Sequence, residues 1–269
     1  MRLTLLGTGA ADGIPSFYGD TQVNRHARLH GGKDIRSRTA ALVDEELKID
    51  LGPDTLGQCQ RCGVDPMEWT AVLFTHSHAD HLCRSELQYF LHPFNERDRL
   101  KFTIYGNRKV LDLIYAAYAD WPMELIETRS FETFTHAGYE ITPIHANHAL
   151  DEDSQNLIIR RNGSSLLYAT DTGYWEEKTW EFLQSQKIGT LVIECTDGFE
   201  DSEYWGHLNI VQCAEVVERL RKQGTLKPNA HVITTHHSTR GRATHGQLEL
   251  ALCEYGIEPG YDGMVVDVR

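Results

Sequence analysis

The segment Ala71-Val72-Leu73-Phe74-Thr75-His76-Ser77-His78-Ala79-Asp80-His81 decides how this 269-residue sequence is read. Its first four residues are apolar and bounded by polar ones, the pattern of a short buried strand. In an extended chain residues two apart point the same way, so His76 and His78 converge on one ion. Where the chain then turns into a helix, Asp80 and His81 project elsewhere and can hold a second ion nearby. Imidazole and carboxylate suit zinc, manganese or iron at neutral pH without thiolates. The bland reading is a His-rich surface loop. Four ligand-type residues in six, directly after a buried strand, argue for metal instead.

One cluster cannot complete two sites, so further ligands are expected at other strand ends, where functional side chains gather along one edge of a sheet. Three residues fit. His148 follows the strand-like run Tyr139 to Ile144, Asp171 closes Leu166-Leu167-Tyr168-Ala169-Thr170, and His236 closes Val232-Ile233-Thr234-Thr235. A carboxylate at Asp171 has two oxygens and can bridge two cations. Each of the three alone reads equally well as a capped or hydrogen-bonded polar group. The first cluster tips them towards metal.

Composition narrows the function classes. Hydrophobic residues make up 41% and charged residues 24%, which excludes disordered and fibrous chains. The formal charge of −13 repels nucleic acid and anionic lipid, so neither is an expected partner. No apolar run approaches the ~20 residues of a membrane span. Met1 to Gly7 reads as a first strand rather than a signal peptide. Six scattered cysteines without an export signal lead us to expect reduced thiols and a cytoplasmic location. Cys59 and Cys62 form a lone CxxC, read as two thiols.

Short β-rich runs recur at Leu3–Leu6, Ala40–Val43, Leu47–Ile49, Phe102–Tyr105, Leu157–Arg160, Leu191–Ile193, His231–Thr234 and Met264–Val268. Helical periodicity is clearest over Val110–Ala119, Glu177–Gln184 and the Val211-Ala214-Val217-Leu220 stripe, and a further helix is expected over Arg84–Leu91. Strands grouped with helices between them favour layered sheets with helices outside. No repeat or linker divides the chain, so residues 1–269 are read as one domain.

The ordered ligand set resembles that of the metallo-β-lactamase superfamily. The resemblance implies an α/β fold, an αββα four-layer sandwich of two mixed sheets with helices on the outer faces. It assigns His76, His78 and His148 to one divalent ion, Asp80, His81 and His236 to the other, and shares Asp171 between them. Antibiotic-hydrolysing members carry cysteine at the Asp171 position. Aspartate there resembles the phosphodiesterase, glyoxalase II and lactonase branches. Gly7-Thr8-Gly9-Ala10-Ala11-Asp12-Gly13, Gly206-His207-Leu208-Asn209 and Tyr261-Asp262-Gly263-Met264 are most similar to the phosphoribosyl cyclic phosphodiesterases of the carbon–phosphorus lyase pathway. Those also hold a structural zinc with amino-terminal cysteines and a histidine. Ser16 to Lys33 has no cysteine and Thr239 stands at the histidine position, so that zinc is not expected here.

The resemblance makes His207 the general acid and gives Asp80 a second duty, orienting the attacking water. The expected activity is hydrolysis of a small cyclic phosphate or nucleotide-like phosphodiester by hydroxide bridging two ions (zinc or manganese, or else iron). Thioester or lactone hydrolysis on the same ions is the alternative, and tRNA 3′-processing a more distant one. Arg240 is a candidate phosphate contact, with Arg242 beside it; a solvated loop is the plain alternative. His145 and His237 are expected to hydrogen-bond the ligands, and His26, His30, His92, His136, His231 and His245 to lie at the surface or at strand ends. Trp121, Trp175 and Trp205 are assigned to the core. A homodimer is compatible with the resemblance but not indicated by any residue.

Overall fold

Short strands with apolar residues on both faces build two seven-stranded sheets in the computed structural model, which describes residues 1–90, 94, 102–201 and 204–269. The first sheet holds β1 (Arg2–Gly7), β2 (Ala40–Val43), β3 (Leu47–Ile49), β4 (Ala71–Leu73), β5 (Phe102–Gly106) and β6 (Met123–Glu127) in chain order. The second runs β7 (Phe134–His136), β8 (Tyr139–His145), β9 (Gln155–Arg161), β10 (Ser164–Ala169), β11 (Ile188–Glu194), β12 (Leu226–Thr235) and β13 (Glu258–Pro259), again in chain order. The last strand, β14 (Met264–Asp267), returns to the first sheet and pairs antiparallel with β1.

The period-2 alternation explains the layering. Ala41 and Val43, Ala71 and Leu73, Leu157 and Ile159, and Leu166 and Tyr168 point between the sheets into one shared core. Their neighbours Ala40, Leu42, Val72 and Phe74 point outward beneath α2 (Thr55–Cys62) and α4 (Arg108–Tyr118). On the other outer face Ile158, Leu167, Ala169, Leu191 and Ile193 pack under α5 (Glu177–Gln184), α6 (Ile210–Lys222) and α7 (His245–Leu252). Each fully buried Leu or Ile contributes about 1.5–3 kcal/mol relative to exposure, so neither sheet face can be left to water. The result is the expected αββα sandwich. Two short helices complete the order, α1 (Gln22–His30) and α3 (Arg84–Leu87).

Strand direction sets where the chemistry gathers. β3 to β6 are mutually parallel, as are β10 to β12. β8 and β10 each run antiparallel to β9 and so share one direction. The carboxyl ends of β4, β8, β10 and β12 therefore open on one rim of the sandwich.

Some local expectations need correction. The helix expected over Arg84–Leu91 stops at Leu87 and tightens into a 3₁₀ turn, Gln88–Phe90; Leu91 and His92 lie outside the described residues. Val211 is 59% exposed, because the buried stripe of α6 starts at Ile210 and continues through Cys213, Val217 and Leu220. Trp175 packs edge-on against Trp180 in the core, but Trp121 is only half-buried and Trp205 is exposed. His245 is buried at the start of α7, its Nδ1 3.0 Å from Arg36 Nη2.

Candidate metal centre

β4 delivers the chain to the rim and the loop after it turns back on itself: the amides of His81 and Leu82 donate to the His78 carbonyl at 3.0 and 2.8 Å. That turn swings Asp80 and His81 round to the side opposite His78. His148 comes from the loop after β8, Asp171 from the end of β10 and His236 from the end of β12. Asp171 and His236 have φ of 54° and 58°. Left-handed backbone costs a non-glycine residue roughly 1–2 kcal/mol, so the surrounding fold holds both side chains against their local preference.

All seven side chains meet. The ligating atoms of His76, His78, His148 and Asp171 lie within 4.8 Å of one another, and so do those of Asp80, His81, Asp171 and His236. Asp171 belongs to both groups. Its Oδ2 is 3.4 Å from His76 Nε2, 3.2 Å from His81 Nε2 and 3.5 Å from His148 Nε2, while its Oδ1 is 2.9 Å from His236 Nε2. Asp80 Oδ2 lies 3.2 Å from His81 Nε2 and 3.6 Å from that of His236. His78 turns its Nδ1 inward, 3.0 Å from His148 Nε2.

The donor set suits a pair of divalent cations. The Nε2 atoms of His76, His81 and His236 are buried without an aligned hydrogen-bond partner, the carboxylate oxygens standing beside them rather than in line. Such buried orphan nitrogens are costly unless something else engages them. The opposite ring nitrogens are engaged: His81 Nδ1 donates to Asp50 Oδ2 at 2.7 Å, His148 Nδ1 to the Gly206 carbonyl at 3.0 Å, and the Nδ1 atoms of His76 and His236 lie 3.0 and 2.9 Å from the Thr75 and Thr196 hydroxyls. Contacts of this kind fix the tautomer and aim the free nitrogen at the ion.

Charge in the cluster is shared between carboxylates and imidazoles. Burial would lower the pKa of His81, but Asp171, Asp80 and Asp50 outweigh it and hold the ring protonated, well above its ordinary value. The same contest at His236, won by Asp171, pushes its pKa up to about 10. His76, buried and facing the His81 charge, is driven well below its ordinary value. Against the cost of burial, His81 keeps Asp80 ionised, as His236 and His81 do Asp171.

His207 stands beside the cage, its ring 5.0 Å from that of His148 and 5.3 Å from that of His236. Its Nδ1 donates to Glu194 Oε1 at 2.8 Å. Burial acts to lower its pKa, and the Glu194 carboxylate more than reverses this. Glu194 closes β11, is fully buried, and also accepts from the amides of Thr172 and Leu208. The sequence alone assigns no role to Glu194 or Asp50. The signal was the one that marked Asp171, an acid closing an apolar run.

Other candidates pair with groups outside the cluster or face solvent. His145 Nδ1 pairs with Asp153 Oδ1 at 3.1 Å and His237 Nε2 lies 3.3 Å from the Thr234 hydroxyl, so both point to partners other than the expected ligands. Arg242 pairs with Glu200 at 3.2 Å, and Arg240 is exposed on the 3₁₀ turn Thr239–Gly241.

Two stacked sheets flanked by helices, with a His/Asp cage on one rim, define a metal-dependent hydrolase of the metallo-β-lactamase fold. Residues 47–237 match the family described as the beta-lactamase superfamily domain, and the chain belongs to that family. Among solved structures it is similar to a diphosphatase of the PhnP family, with a TM-score of 0.80 at 22% identity, covering 100% of this chain and 98% of that one. It is also similar to zinc-bound PqqB from Methylobacterium extorquens (TM-score 0.77, 16% identity, 100% of each chain). Human tRNase Z, short form, gives a TM-score of 0.68 at 17% identity over 100% of each chain. At these identities the likeness is one of fold. No curated protein matches the sequence significantly. Among the described residues, no helix is long and apolar enough to cross a membrane.

Proposed function

We propose that the protein is a dinuclear phosphodiesterase for a small cyclic phosphate or nucleotide-like diester, with His76, His78 and His148 holding one divalent ion, Asp80, His81 and His236 the other, and Asp171 both. The observation that carries this reading is the His207–Glu194 pair beside the cage. An alkoxide is a poor leaving group and departs with a proton; a thiolate departs without one. A protonated imidazole poised at the rim therefore suits a phosphodiester better than a thioester. When bound, the cation pair supplies Lewis acidity, lowering the pKa of a coordinated water and drawing charge from the phosphoryl oxygens. Zinc, manganese and iron all suit these ligands.

The residues do the rest. Asp80 keeps an oxygen directed at the cage and orients the attacking water. Glu194 holds the His207 ring by Nδ1, which leaves Nε2 to carry the proton to the departing oxygen. The raised pKa of His207 favours the protonated ring near neutral pH. His207 is partly exposed, so solvent restores the proton after each turnover. Arg240 is the cation offered to the phosphate from the turn just beyond His236. The similarity to a PhnP-family diphosphatase supports a phosphoester substrate, and the −13 charge favours a small one over tRNA.

The test is a panel of cyclic and linear phosphodiesters, bis(p-nitrophenyl) phosphate, S-lactoylglutathione and an acyl-homoserine lactone, assayed with the manganese-loaded enzyme. Turnover confined to the diesters and reduced by His207→Ala is expected. Preferential turnover of the thioester or lactone would replace this reading with its alternative.

A further inference from the structure

Glu152 has no part in the ligand set, yet its side chain is fully buried beside it. It lies four residues beyond His148 in the loop after β8 and reaches across to the loop after β4. Its Oε2 accepts from the Ser77 amide at 3.0 Å and its Oε1 from the Ser77 hydroxyl at 2.7 Å. Ser77 sits between His76 and His78. Oε2 also accepts from Asn107 Nδ2 at 2.8 Å, and Lys109 Nζ stands 3.7 Å from Oε1. Asn107 is itself fixed as the cap of α4, its Oδ1 accepting from the Val110 amide at 3.0 Å, and it donates to the Asp153 carbonyl as well. Beside this clasp the Gln155 amide, at the start of β9, donates to the Thr75 carbonyl at 2.9 Å.

Resting on the ligand assignment above, we propose that Glu152 is a positioning residue for one ion alone, the one held by His76, His78 and His148. Those three ligands come from the two loops that Glu152 joins. The other group is held elsewhere: His81 by Asp50, and His236 by Thr196, whose hydroxyl in turn donates to Glu194. The surroundings favour a carboxylate. The Ser77 amide and the Asn107 NH2 turn hydrogens to Oε2, and the Ser77 hydroxyl and the Lys109 ammonium face Oε1, so a group that accepts on both oxygens meets all four at once. A glutamine there presents its NH2 in place of Oε1: the Ser77 hydroxyl can reverse to accept from it, but the Lys109 ammonium then faces a donor and the charge that holds the clasp is gone.

The experiment is metal content. Parent, Glu152→Gln, Ser77→Ala and His236→Ala chains are loaded with zinc or manganese, desalted and measured for bound ion per chain, with affinities from titration calorimetry. The parent binds two ions. Glu152→Gln should retain one tightly, with the other weakened about 10- to 100-fold, the usual effect of removing a group that orients a ligand. Ser77→Ala, which loses only the hydroxyl contact, should weaken the same ion less, and His236→Ala should lose the opposite one. In the double variant Glu152→Gln/His236→Ala the opposite ion is lost and the remaining one is weakened by the same roughly 10- to 100-fold. Should Glu152→Gln fail to fold, Ser77→Ala decides. Two ions bound with parental affinities, or equal weakening of both, would overturn the proposal. A parent that binds no ion would instead overturn the ligand assignment.

Discussion

Asp50 offers the sharpest test of how the site is built. Its buried carboxylate accepts from the Thr75 amide at 2.8 Å, the Thr75 hydroxyl at 2.9 Å and His81 Nδ1 at 2.7 Å. Asp50→Ala removes all three acceptances at once. In the metal-free chain the neutral His76 ring can shift its hydrogen to Nε2, so the Thr75 hydroxyl can turn to Nδ1, 3.0 Å away, but the Thr75 amide and the His81 N–H are left buried and unpaired. At about 1–3 kcal/mol for each stranded donor, the loss comes to about 2–6 kcal/mol. For a chain of this size, about 2–4 °C of melting temperature accompanies each kcal/mol, so a fall of roughly 5–20 °C is expected. His81 also loses the group that directs its Nε2, so affinity for the ion at Asp80, His81 and His236 should drop about 10- to 100-fold. Calorimetric melting of the chelator-treated variant reads the first quantity, and metal titration of the parent and variant reads the second. A melting temperature within a degree of the parent, with both ions still bound at parental affinity, would refute the account of Asp50 as the clamp on His81.

Other outcomes follow from the same geometry. His207→Ala should lower kcat by about 10²–10⁴, with KM little changed, and the loss should shrink for substrates whose leaving group is already acidic, such as p-nitrophenyl esters. Metal loading should release protons, because His81 and His236 are protonated at pH 7 and must shed their protons to ligate; calorimetry in buffers of different ionisation enthalpy counts them, and affinity should rise with pH. In chelator-treated protein the same proton on His236 stabilises the fold fully below its unfolded pKa of about 6.5, and this contribution fades as pH rises through about 10, so melting temperature should decline over that window. Gly173→Ala puts a methyl group against the Trp205 carbonyl, and displacement of the segment that leads to His207 should cost roughly 1–3 kcal/mol and most of the activity.

Much of this architecture was legible because the strands are short, apolar and sharply bounded. Ala40–Val43 and Leu47–Ile49 coincide with their sequence runs. The loop from His76 to His81 was legible because ligand types at that density have few other uses. Helices were harder. α1 buries only Val23, Asn24 and Ala27, too narrow an apolar face to register as a period. In α7 the capping box of Thr244 and Gln247 was present in the sequence and carried the signal that hydrophobicity did not. Asp50, Glu194 and Glu152 escaped notice for a shared reason. Each reaches the site through a partner 13 to 75 residues away, His81, His207 and Ser77 in turn, and no local pattern announces a contact made only after the sheets have stacked. His145 and His237 err in the opposite sense: adjacency along the chain suggested a shared role, but alternation at a strand end sends neighbours to different sides.

The ligands are divided between the two leaves of the sandwich. His76, His78, Asp80 and His81 hang from the first sheet, and His148, Asp171 and His236 from the second. On the proposed assignment, ions seated there rivet one leaf to the other across the hydrophobic seam. Prising the leaves apart then requires expelling cargo, so each ion present at 1,000 times its dissociation constant adds about 4 kcal/mol to the resistance of the whole chain against unfolding. A cell that starves this protein of metal removes a mechanical fastener along with a reagent.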